Sequence, residues 1–385
     1  MPLCVSVNLC ASAVETNRDN HSPQRHREFT DTRRTAKLDF VLILVTRHLS
    51  LYSLIRPLLF RLPAETAHRF ALASLSNALE FDAIRQSVER KYKTVPFGNL
   101  KRFGLTFRNP VGLAAGFDKN GVALPAWAGL GFGFAEVGTI TSLKQEGNPK
   151  PRIFRIPESE ALINRLGFNN EGAERVALRL HALKKSGRWP EIPIGINLGK
   201  SRIIPLEKAA EDYCRAFRPL SQLGDYFVLN VSSPNTPGLR QLQERDAMKE
   251  LFSAVGREAG GKPVLVKMAP DLDWHEVENV LNMAESFGLA GVIATNTTTD
   301  HSAIPKRFQT EGGLSGLPLR GRAMEILRFV KQRSKLPIIS VGGIMSADEA
   351  LRRLDAGADL VQIYTGFIYR GPTLVREILK RIPAG

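Results

Sequence analysis

The sequence predicts an α/β protein, a (β/α)8 TIM barrel preceded by a two-helix segment. From about residue 91 onward, short apolar runs alternate with segments of helical periodicity, and eight such runs can be counted. Apolar strands separated by helices indicate a parallel sheet covered on both faces. Eight such units favour a closed barrel over an open sheet. A chain of 385 residues is long enough for one barrel and a smaller segment.

Each predicted strand is a short apolar run, and most of them end in Gly, Asn, Ser or Thr. The eight strands are Pro110–Ala115, Phe134–Ile140, Ile192–Asn197, Tyr226–Val231, Pro263–Met268, Gly291–Thr295, Pro337–Val341 and Leu360–Tyr364. Helical patterns follow most of them, for example Leu206–Leu223, Trp274–Phe287 and Ala347–Ala356.

The region before the barrel divides into two zones. Residues 1–50 mix basic and acidic side chains without a sustained period, which indicates an irregular extension or a mis-assigned start. Residues 51–90 predict two short amphipathic helices separated at Pro63, and residues 91–385 form the barrel. No run reaches the roughly 18 apolar residues that a membrane span needs.

The composition limits the classes of partner. The net charge of +15 favours an anionic partner, either nucleic acid, a membrane surface or an acidic substrate. The three cysteines, Cys4, Cys10 and Cys214, show neither disulfide nor metal-ligand spacing, so no metal site is predicted.

The barrel prediction places functional groups just past the carboxyl ends of the strands. After the first strand, the small residues Ala114–Gly116 let the backbone approach a flat ligand closely, and Lys119 offers a charge to an anion. The alternative is a tight turn with a solvated Asp118–Lys119 pair.

The second and fourth loops carry dense polar clusters. Asn164–Asn170 contains three asparagines and an arginine, which suits a ring that bears amides and a carboxylate. Asn170 is equally suited to capping a helix that begins near Glu171. In Asn230–Gly238, two prolines and a glycine stiffen a loop whose hydroxyls include a candidate general base.

Two further features predict a cofactor. Lys267 interrupts an apolar strand, and burying a lysine is costly unless it meets an anion, although a lysine can also extend towards solvent. Glycines follow the seventh and eighth strands, at Gly342–Gly343 and Gly366, where many barrels bind phosphate. These features predict a phosphate-bearing cofactor, for which we favour FMN.

Four motifs then carry a family resemblance. Gly112–Lys119 (GLAAGFDK), Asn164–Phe168 (NRLGF), Asn230–Thr236 (NVSSPNT) and Leu360–Tyr364 (LVQIY) closely resemble class 2 dihydroorotate dehydrogenases. The resemblance runs from about residue 51 to the end of the chain. It implies oxidation of dihydroorotate to orotate in pyrimidine (UMP) biosynthesis, with one FMN per chain and a quinone as electron acceptor.

The resemblance also implies roles for individual residues. Ser233 resembles the family's catalytic base, a position where class 1 relatives carry cysteine. The residues expected to hold orotate are Lys119, Asn164, Arg165, Leu166, Gly167, Phe168, Asn230, Asn235, Asn296 and Thr297. The residues expected to hold FMN are Ala115, Gly116, Thr139, Asn197, Asn230, Lys267, Thr295, Gly316, Gly343, Tyr364 and Thr365. His68, Arg155 and Tyr364 are expected near the quinone head.

The expected partners follow from the same resemblance. They are dihydroorotate, ubiquinone or menaquinone, and an anionic membrane surface, with no nucleic acid and with the chain as a monomer. The two-helix segment resembles the family's membrane-associating, quinone-guiding element; the competing interpretation is a helical cap on the barrel bottom, and the two are compatible. We expect a peripheral protein on the cytoplasmic face of a bacterial inner membrane, or alternatively at the mitochondrial inner membrane.

Three other functions remain open at this point. A soluble dihydroorotate dehydrogenase would use fumarate or NAD in place of the quinone. A tRNA dihydrouridine synthase would suit the basic charge, but it needs a catalytic cysteine in the barrel mouth, and Cys214 falls in a helical pattern. A non-catalytic membrane-binding module would not need the polar residues at the strand ends.

Overall fold

The computed structural model describes residues 50–78, 82–92, 97, 100–236 and 239–382. The predicted extension before residue 50 lies outside the described residues, as do Pro237 and Gly238 of the predicted fourth loop. The strands are β1 (Leu100–Arg102), β2 (Leu105–Phe107), β3 (Val111–Leu113), β4 (Phe134–Ile140), β5 (Ile153–Ile156), β6 (Ala161–Asn164), β7 (Ile194–Leu198), β8 (Tyr226–Asn230), β9 (Val264–Met268), β10 (Gly291–Ala294), β11 (Gly313–Gly316), β12 (Ile338–Val341) and β13 (Leu360–Ile363).

The α-helices surround these strands. They are α1 (Ser50–Arg61), α2 (Ala64–Ala78), α3 (Asp82–Tyr92), α4 (Leu124–Gly129), α5 (Ala173–Lys185), α6 (Ala209–Leu220), α7 (Arg245–Ala259), α8 (Trp274–Ser286), α9 (Arg320–Arg333), α10 (Ala347–Asp355), α11 (Thr365–Arg370) and α12 (Thr373–Arg381). None of the described helices is long and apolar enough to cross a membrane.

Eight parallel strands form a closed barrel in the order β3, β4, β7, β8, β9, β10, β12 and β13, with β13 pairing back onto β3. The predicted (β/α)8 fold is therefore confirmed, and all eight predicted strands belong to the barrel. Every residue of β4, β7, β8 and β9 is buried, which explains why these strands appear in the sequence as almost continuous apolar runs.

Proline accounts for the main differences in strand boundaries. Three predicted strands begin at Pro110, Pro263 and Pro337, but in each case the paired strand begins one residue later. Proline has no N–H to donate to the ladder. Its carbonyl still accepts: Pro263 O, for example, receives a bond from the N–H of Phe227, 2.8 Å away.

Two small sheets were not predicted from the sequence. The antiparallel β1–β2 hairpin packs Phe103 and Phe107 against Tyr226 and closes the amino-terminal end of the barrel. An antiparallel sheet of β5, β6 and β11 stands at the opposite end. Its strands are inserted in the loops after β4 and β10, and it pairs Asn164 with Gly313.

The predicted helices at residues 51–90 are present as α1 and α2, and α3 follows as a third helix. Tyr52 and Arg56 of α1 donate to the backbone carbonyls of Ile368 and Tyr369 at α11. Because α11 follows the carboxyl end of β13, these helices lie at the mouth of the barrel. The alternative of a cap on the barrel bottom is wrong, since the β1–β2 hairpin closes that end.

Candidate functional site: two adjoining cavities at the barrel mouth

A polar cleft opens at the carboxyl ends of the barrel strands. The predicted site residues that line it are Ala115, Gly116, Lys119, Thr139, Asn164, Leu166, Gly167, Phe168, Asn230, Ser233, Asn235, Lys267, Thr295, Asn296, Thr297, Gly316, Gly343, Tyr364 and Thr365. Residues from seven of the eight barrel strands, or from the loops that follow them, thus converge on one cleft.

Two of the residues predicted to hold orotate or FMN do not line this cleft. Asn197 is fully buried beneath it, within a network of amides. The Arg165 guanidinium donates to the carbonyl of Pro151, 3.1 Å away, and lies over the ring of Phe154. Asn164 and Arg165 are adjacent in an extended segment, so their side chains point in opposite directions, and only Asn164 faces the cleft.

Ser233 lies in the loop after β8 and is almost completely buried at the cleft wall. Its hydroxyl accepts a hydrogen bond from the N–H of Asn235, 3.3 Å away. The Asn235 side chain in turn donates to Asn164 Oδ1 at 3.2 Å, which links the fourth loop to β6. These bonds hold the hydroxyl at a fixed place among amide groups.

An amide network forms the floor of the cleft. Thr139 Oγ1 donates to Asn197 Oδ1 at 2.6 Å, and Asn230 Nδ2 donates to Thr139 Oγ1 at 2.9 Å. Asn296 Nδ2 donates to Ser232 Oγ at 2.9 Å and to Asn230 Oδ1 at 3.2 Å. Because each amide is fixed by its neighbours, the floor offers a set of preorganised donors and acceptors.

Two lysines supply positive charge to the cleft. Burial and the nearby Arg152 charge lower the pKa of Lys119 to about 7, and its ammonium donates to Asn169 Oδ1. Lys267 is only 5% exposed, so it does not reach solvent, and burial lowers its pKa. A buried ammonium at a cleft wall is a site for an anionic group.

The alternative interpretation, in which Asp118 and Lys119 form a solvated pair, is wrong. Asp118 is fully buried, and its carboxylate accepts bonds from the N–H groups of Val122 and Ala123 and from Trp127 Nε1. The carboxylate therefore holds the turn after β3 in place, and Lys119 alone faces the cleft.

The predicted cap at Asn170 needs a similar correction. The helix α5 begins at Ala173, and its N-cap is Gly172, which has no side chain to cap the helix. Asn170 instead accepts from the N–H of Gly172 at 2.8 Å and donates to Thr141 Oγ1 at 2.8 Å. It therefore stabilises the turn before the helix.

A second cavity adjoins the polar cleft. It is mainly apolar and lies between α1, α2 and the barrel mouth, where Phe70, Leu72 and Leu75 contribute to its wall. All three residues predicted for the quinone site, His68, Arg155 and Tyr364, line it. Asn164, Ser315 and Tyr364 line both cavities, so the two share a wall.

The polar groups of the second cavity are few and well defined. Burial and the charge of Lys119 lower the pKa of His68 to about 4, so its imidazole is neutral near pH 7. The His68 ring meets Phe117 edge to face, with centroids 5.0 Å apart. Arg155 donates to the carbonyls of Leu59 and Leu62 and lies over the Phe60 ring, which fixes its guanidinium against α1.

The cleft fits a flat anionic cofactor. Small residues, Ala114 to Gly116, form one wall, and Gly342 and Gly343 form another beside the start of α11. The Oε1 atom of Gln362, on the cleft lining, is buried without a hydrogen-bond partner within the described part of the chain. Together with the Lys267 ammonium, these features suit a flavin ring and its phosphate.

Several cleft residues were not predicted from the sequence. Gln362 interrupts the apolar strand β13, and Glu136 interrupts β4 beneath the cleft. Both show the signal that identified Lys267, a polar residue inside an apolar run. Ser315 was also not predicted, although it precedes the predicted Gly316 in β11.

Comparisons with known proteins agree with this geometry. The family model for dihydroorotate dehydrogenase matches residues 99–385. A curated relative from Gloeobacter violaceus, dihydroorotate dehydrogenase (quinone), is 51% identical over 342 residues, covering 86% of this chain and 93% of the relative. A relative of the same name from Salinispora arenicola is 51% identical over 331 residues, covering 84% and 96%.

A solved structure shows the same architecture. The crystal structure of the Eimeria tenella dihydroorotate dehydrogenase in complex with ferulenol is 35% identical, with a TM-score of 0.70. The match covers 78% of this chain and 89% of that one. On the family match, the relatives and the shared barrel, the chain belongs to the dihydroorotate dehydrogenase family, in the quinone-using class of its curated relatives.

Proposed function

We propose that this chain oxidises (S)-dihydroorotate to orotate in pyrimidine (UMP) biosynthesis, with one FMN as hydride acceptor and a membrane quinone as terminal electron acceptor. The observation that carries the proposal is the pair of adjoining cavities. One is polar and contains Ser233 and Lys119, the other is apolar and contains His68 and Arg155, and Tyr364 lines both. Such a pair suits a redox cofactor that receives electrons from a polar substrate and delivers them to a lipid-soluble acceptor.

The cofactor assignment rests on the floor and the glycine-lined end of the cleft. Lys267, Thr139, Asn230 and Thr295 line the part that suits the flavin ring, and the backbone around Gly316, Gly343 and Thr365 suits its phosphate. When bound, FMN supplies the acceptor for the hydride and passes the electrons on to the quinone. Asn197 acts from below by orienting Thr139 and Asn230.

The substrate assignment rests on the opposite part of the cleft. Lys119 provides a cation for the carboxylate of dihydroorotate, and Asn164, Asn235, Asn296 and Thr297 provide amide and hydroxyl groups for its ring. Phe168 and Leu166 cover the site and exclude water. Arg165 holds the Asn164–Phe168 segment through its contacts with Pro151 and Phe154.

Ser233 acts as the general base. Its hydroxyl is held by the N–H of Asn235 and would take the C5 proton of dihydroorotate while its own proton leaves through a hydrogen-bonded relay, with the C6 hydride going to the flavin. A serine hydroxyl is a weak base. The buried, water-poor position of Ser233 compensates for this weakness, because the surrounding groups are fixed in place before the reaction.

Membrane association is supported by the outer surface of the two helices. Leu54 is 66% exposed, Leu58 is 58% exposed and Phe70 is 44% exposed, and the basic residues Arg61 and Arg69 accompany them. An amphipathic helix pair of this kind can lie in the headgroup region of an anionic bilayer and guide a quinone, ubiquinone or menaquinone, into the apolar cavity. We propose a monomer bound peripherally at the cytoplasmic face of a bacterial inner membrane.

One experiment tests donor, cofactor and acceptor together. The purified protein is mixed anaerobically with dihydroorotate, and the flavin absorbance near 450 nm, roughly the usual flavin band, is followed before and after addition of a ubiquinone analogue. Bleaching by dihydroorotate and recovery with the quinone are expected. Recovery with fumarate or NAD but not with the quinone would reassign the acceptor, and failure to bleach would refute the substrate.

A further inference from the structure

The barrel interior holds one carboxylate that the proposed chemistry does not use. Glu136 lies on β4 and is fully buried. Its Oε1 accepts from Asn197 Nδ2 at 2.7 Å, and its Oε2 accepts from Gln362 Nε2 at 2.6 Å. A buried carboxylate is costly unless it is hydrogen-bonded and balanced by a positive charge.

These two bonds determine how the amides above are oriented. With its NH2 group donating to Glu136, Asn197 presents Oδ1 to Thr139 and Asn230, at 2.6 and 3.2 Å. Thr139 and Asn230 line the cleft, so the carboxylate fixes the polarity of the floor from one layer below. Glu136 also accepts from the Gln362 Nε2 group, and this bond fixes which end of the Gln362 amide faces the carboxylate.

The charge of Glu136 acts on Lys267, and the two residues are linked through Asn197 and Asn230 of the amide network. Both residues lie inside the barrel, on β4 and β9, and Lys267 pairs in register with Asn230 of the same amide network. Burial lowers the pKa of Lys267, and the Glu136 charge opposes that shift. Lys267 lines the cleft, whereas Glu136 lies beneath it.

We propose that Glu136 is a positioning residue that supplies the buried counter-charge for the Lys267 ammonium and sets the orientation of the Asn197 and Gln362 amides. The inference rests on the proposed function, because it assigns Lys267 to the flavin. Glu136 touches neither substrate nor cofactor and acts through these three side chains.

The sign of the change in flavin potential tests the proposal. In Glu136→Gln, Lys267 loses its counter-charge and burial favours its neutral amine, so the negative charge of a reduced flavin loses its partner. The midpoint potential should become more negative, and flavin release should be faster by about tenfold, as expected when a buried charged group loses its partner. Equilibration with a redox dye measures the midpoint potential, and flavin fluorescence after dilution measures the rate of flavin release.

Two further variants distinguish this mechanism from a structural role. In a Lys267→Met background, Glu136→Gln should change the potential much less, because the residue through which it acts is absent. The conservative variant Glu136→Asp keeps the negative charge, so its potential should stay close to that of the wild type. If Glu136→Gln alone does not fold, the matched pair Glu136→Asp and Glu136→Asn serves as the test, and only the Asn variant should shift the potential.

Four outcomes would overturn the proposal. A more positive potential in Glu136→Gln would mean that the carboxylate acts on the flavin directly, as a negative charge. An unchanged potential, or an equal shift with and without Lys267, would exclude Lys267 as the intermediary. An equal shift in Glu136→Asp and Glu136→Gln would assign the effect to altered packing rather than to the lost charge. If instead the wild-type protein holds no flavin, or dihydroorotate does not reduce it, the proposed function fails.

Discussion

At the scale of single residues, the site combines a weak base with a fixed environment. Ser233 is nearly buried, and the N–H of Asn235 is its hydrogen-bond donor. The neighbouring Ser232 is fully buried and donates to Asn230 Oδ1 at 3.0 Å, so the two adjacent hydroxyls have different surroundings. Only Ser233 lines the cleft, which makes it the candidate base.

We predict that Ser233→Ala lowers the rate of flavin reduction by dihydroorotate by about 10²- to 10⁴-fold, the usual contribution of a general base. The flavin should stay bound, because Ser233 holds none of the groups assigned to it. Stopped-flow absorbance measures the rate, and Ser232→Ala is the matched control for a general loss of loop structure. A variant with near-normal reduction would contradict the assignment.

The lowered pKa of Lys119 leads us to predict a pH dependence of ligand binding. With its pKa lowered to about 7 in the ligand-free protein, the ammonium is present below that pH and is lost above it. A carboxylate binds the protonated form, so the affinity for orotate should be constant below about pH 7 and should fall above it, by up to about tenfold per pH unit.

Titration of the flavin spectrum with orotate between about pH 6 and pH 9 measures this dependence. Lys119→Arg is the matched control, because a guanidinium stays protonated throughout and the affinity should no longer fall. Equal slopes in the two proteins would show that another group is responsible.

At the scale of elements, one ion pair attaches α2 to the barrel. Arg152 precedes β5 and is 5% exposed, and it donates to the two carboxylate oxygens of Glu65 at 2.7 and 3.1 Å. The same guanidinium donates to the carbonyl of Asn148 at 3.0 Å, and Asn148 Nδ2 donates to the carbonyl of Arg165. The helix near the apolar cavity is thus linked to the segment that carries Asn164.

We predict that Glu65→Gln lowers the free energy of unfolding by about 3 kcal/mol, because it leaves the buried Arg152 without its counter-charge. Urea denaturation followed by circular dichroism measures the change. Lys150 also approaches Glu65, at 3.8 Å, but its side chain is 57% exposed. Lys150→Met should therefore cost less than about 0.5 kcal/mol, and similar losses in both variants would argue against the buried pair.

At the scale of the whole molecule, the main parts of the protein follow one another from one end of the barrel to the other. The β1–β2 hairpin closes one end of the barrel, and the polar cleft, the apolar cavity and the exposed side chains of α1 and α2 follow at the other end. A membrane in contact with the helices would therefore face the apolar cavity.

We predict that the double substitution Leu54→Glu and Leu58→Glu abolishes binding to vesicles that contain anionic lipid, because it removes apolar area and adds negative charge. Flavin reduction by dihydroorotate should persist. Leu178→Glu is the matched control, since Leu178 is 70% exposed but lies on α5, outside the two-helix segment. Vesicle co-sedimentation measures binding, and undiminished binding of the double variant would place the membrane contact elsewhere.

Much of this molecule could be predicted from its sequence. Parallel barrel strands are buried on both faces and alternate with helices, so all eight appeared as apolar runs, with boundaries displaced mainly where proline removes a donor. The cleft residues could be predicted for a related reason: the carboxyl ends of all barrel strands meet at one end. Lys267, a charge inside an apolar run, pointed to the same end.

Contacts between distant parts of the chain could not be predicted in this way. The sheet of β5, β6 and β11 joins two insertions about 150 residues apart, and no local pattern indicates that pairing. Asp118 looked like a solvated partner of Lys119, because its burial depends on Trp127 and on a turn that forms only in the folded barrel. The role of Glu136 depends on Asn197 and Gln362, which lie on strands that meet only when the barrel closes. The sequence alone therefore determined the barrel and which residues line its mouth. The tertiary structure decided which charges are paired, because burial and hydrogen bonding depend on segments that are far apart in the chain.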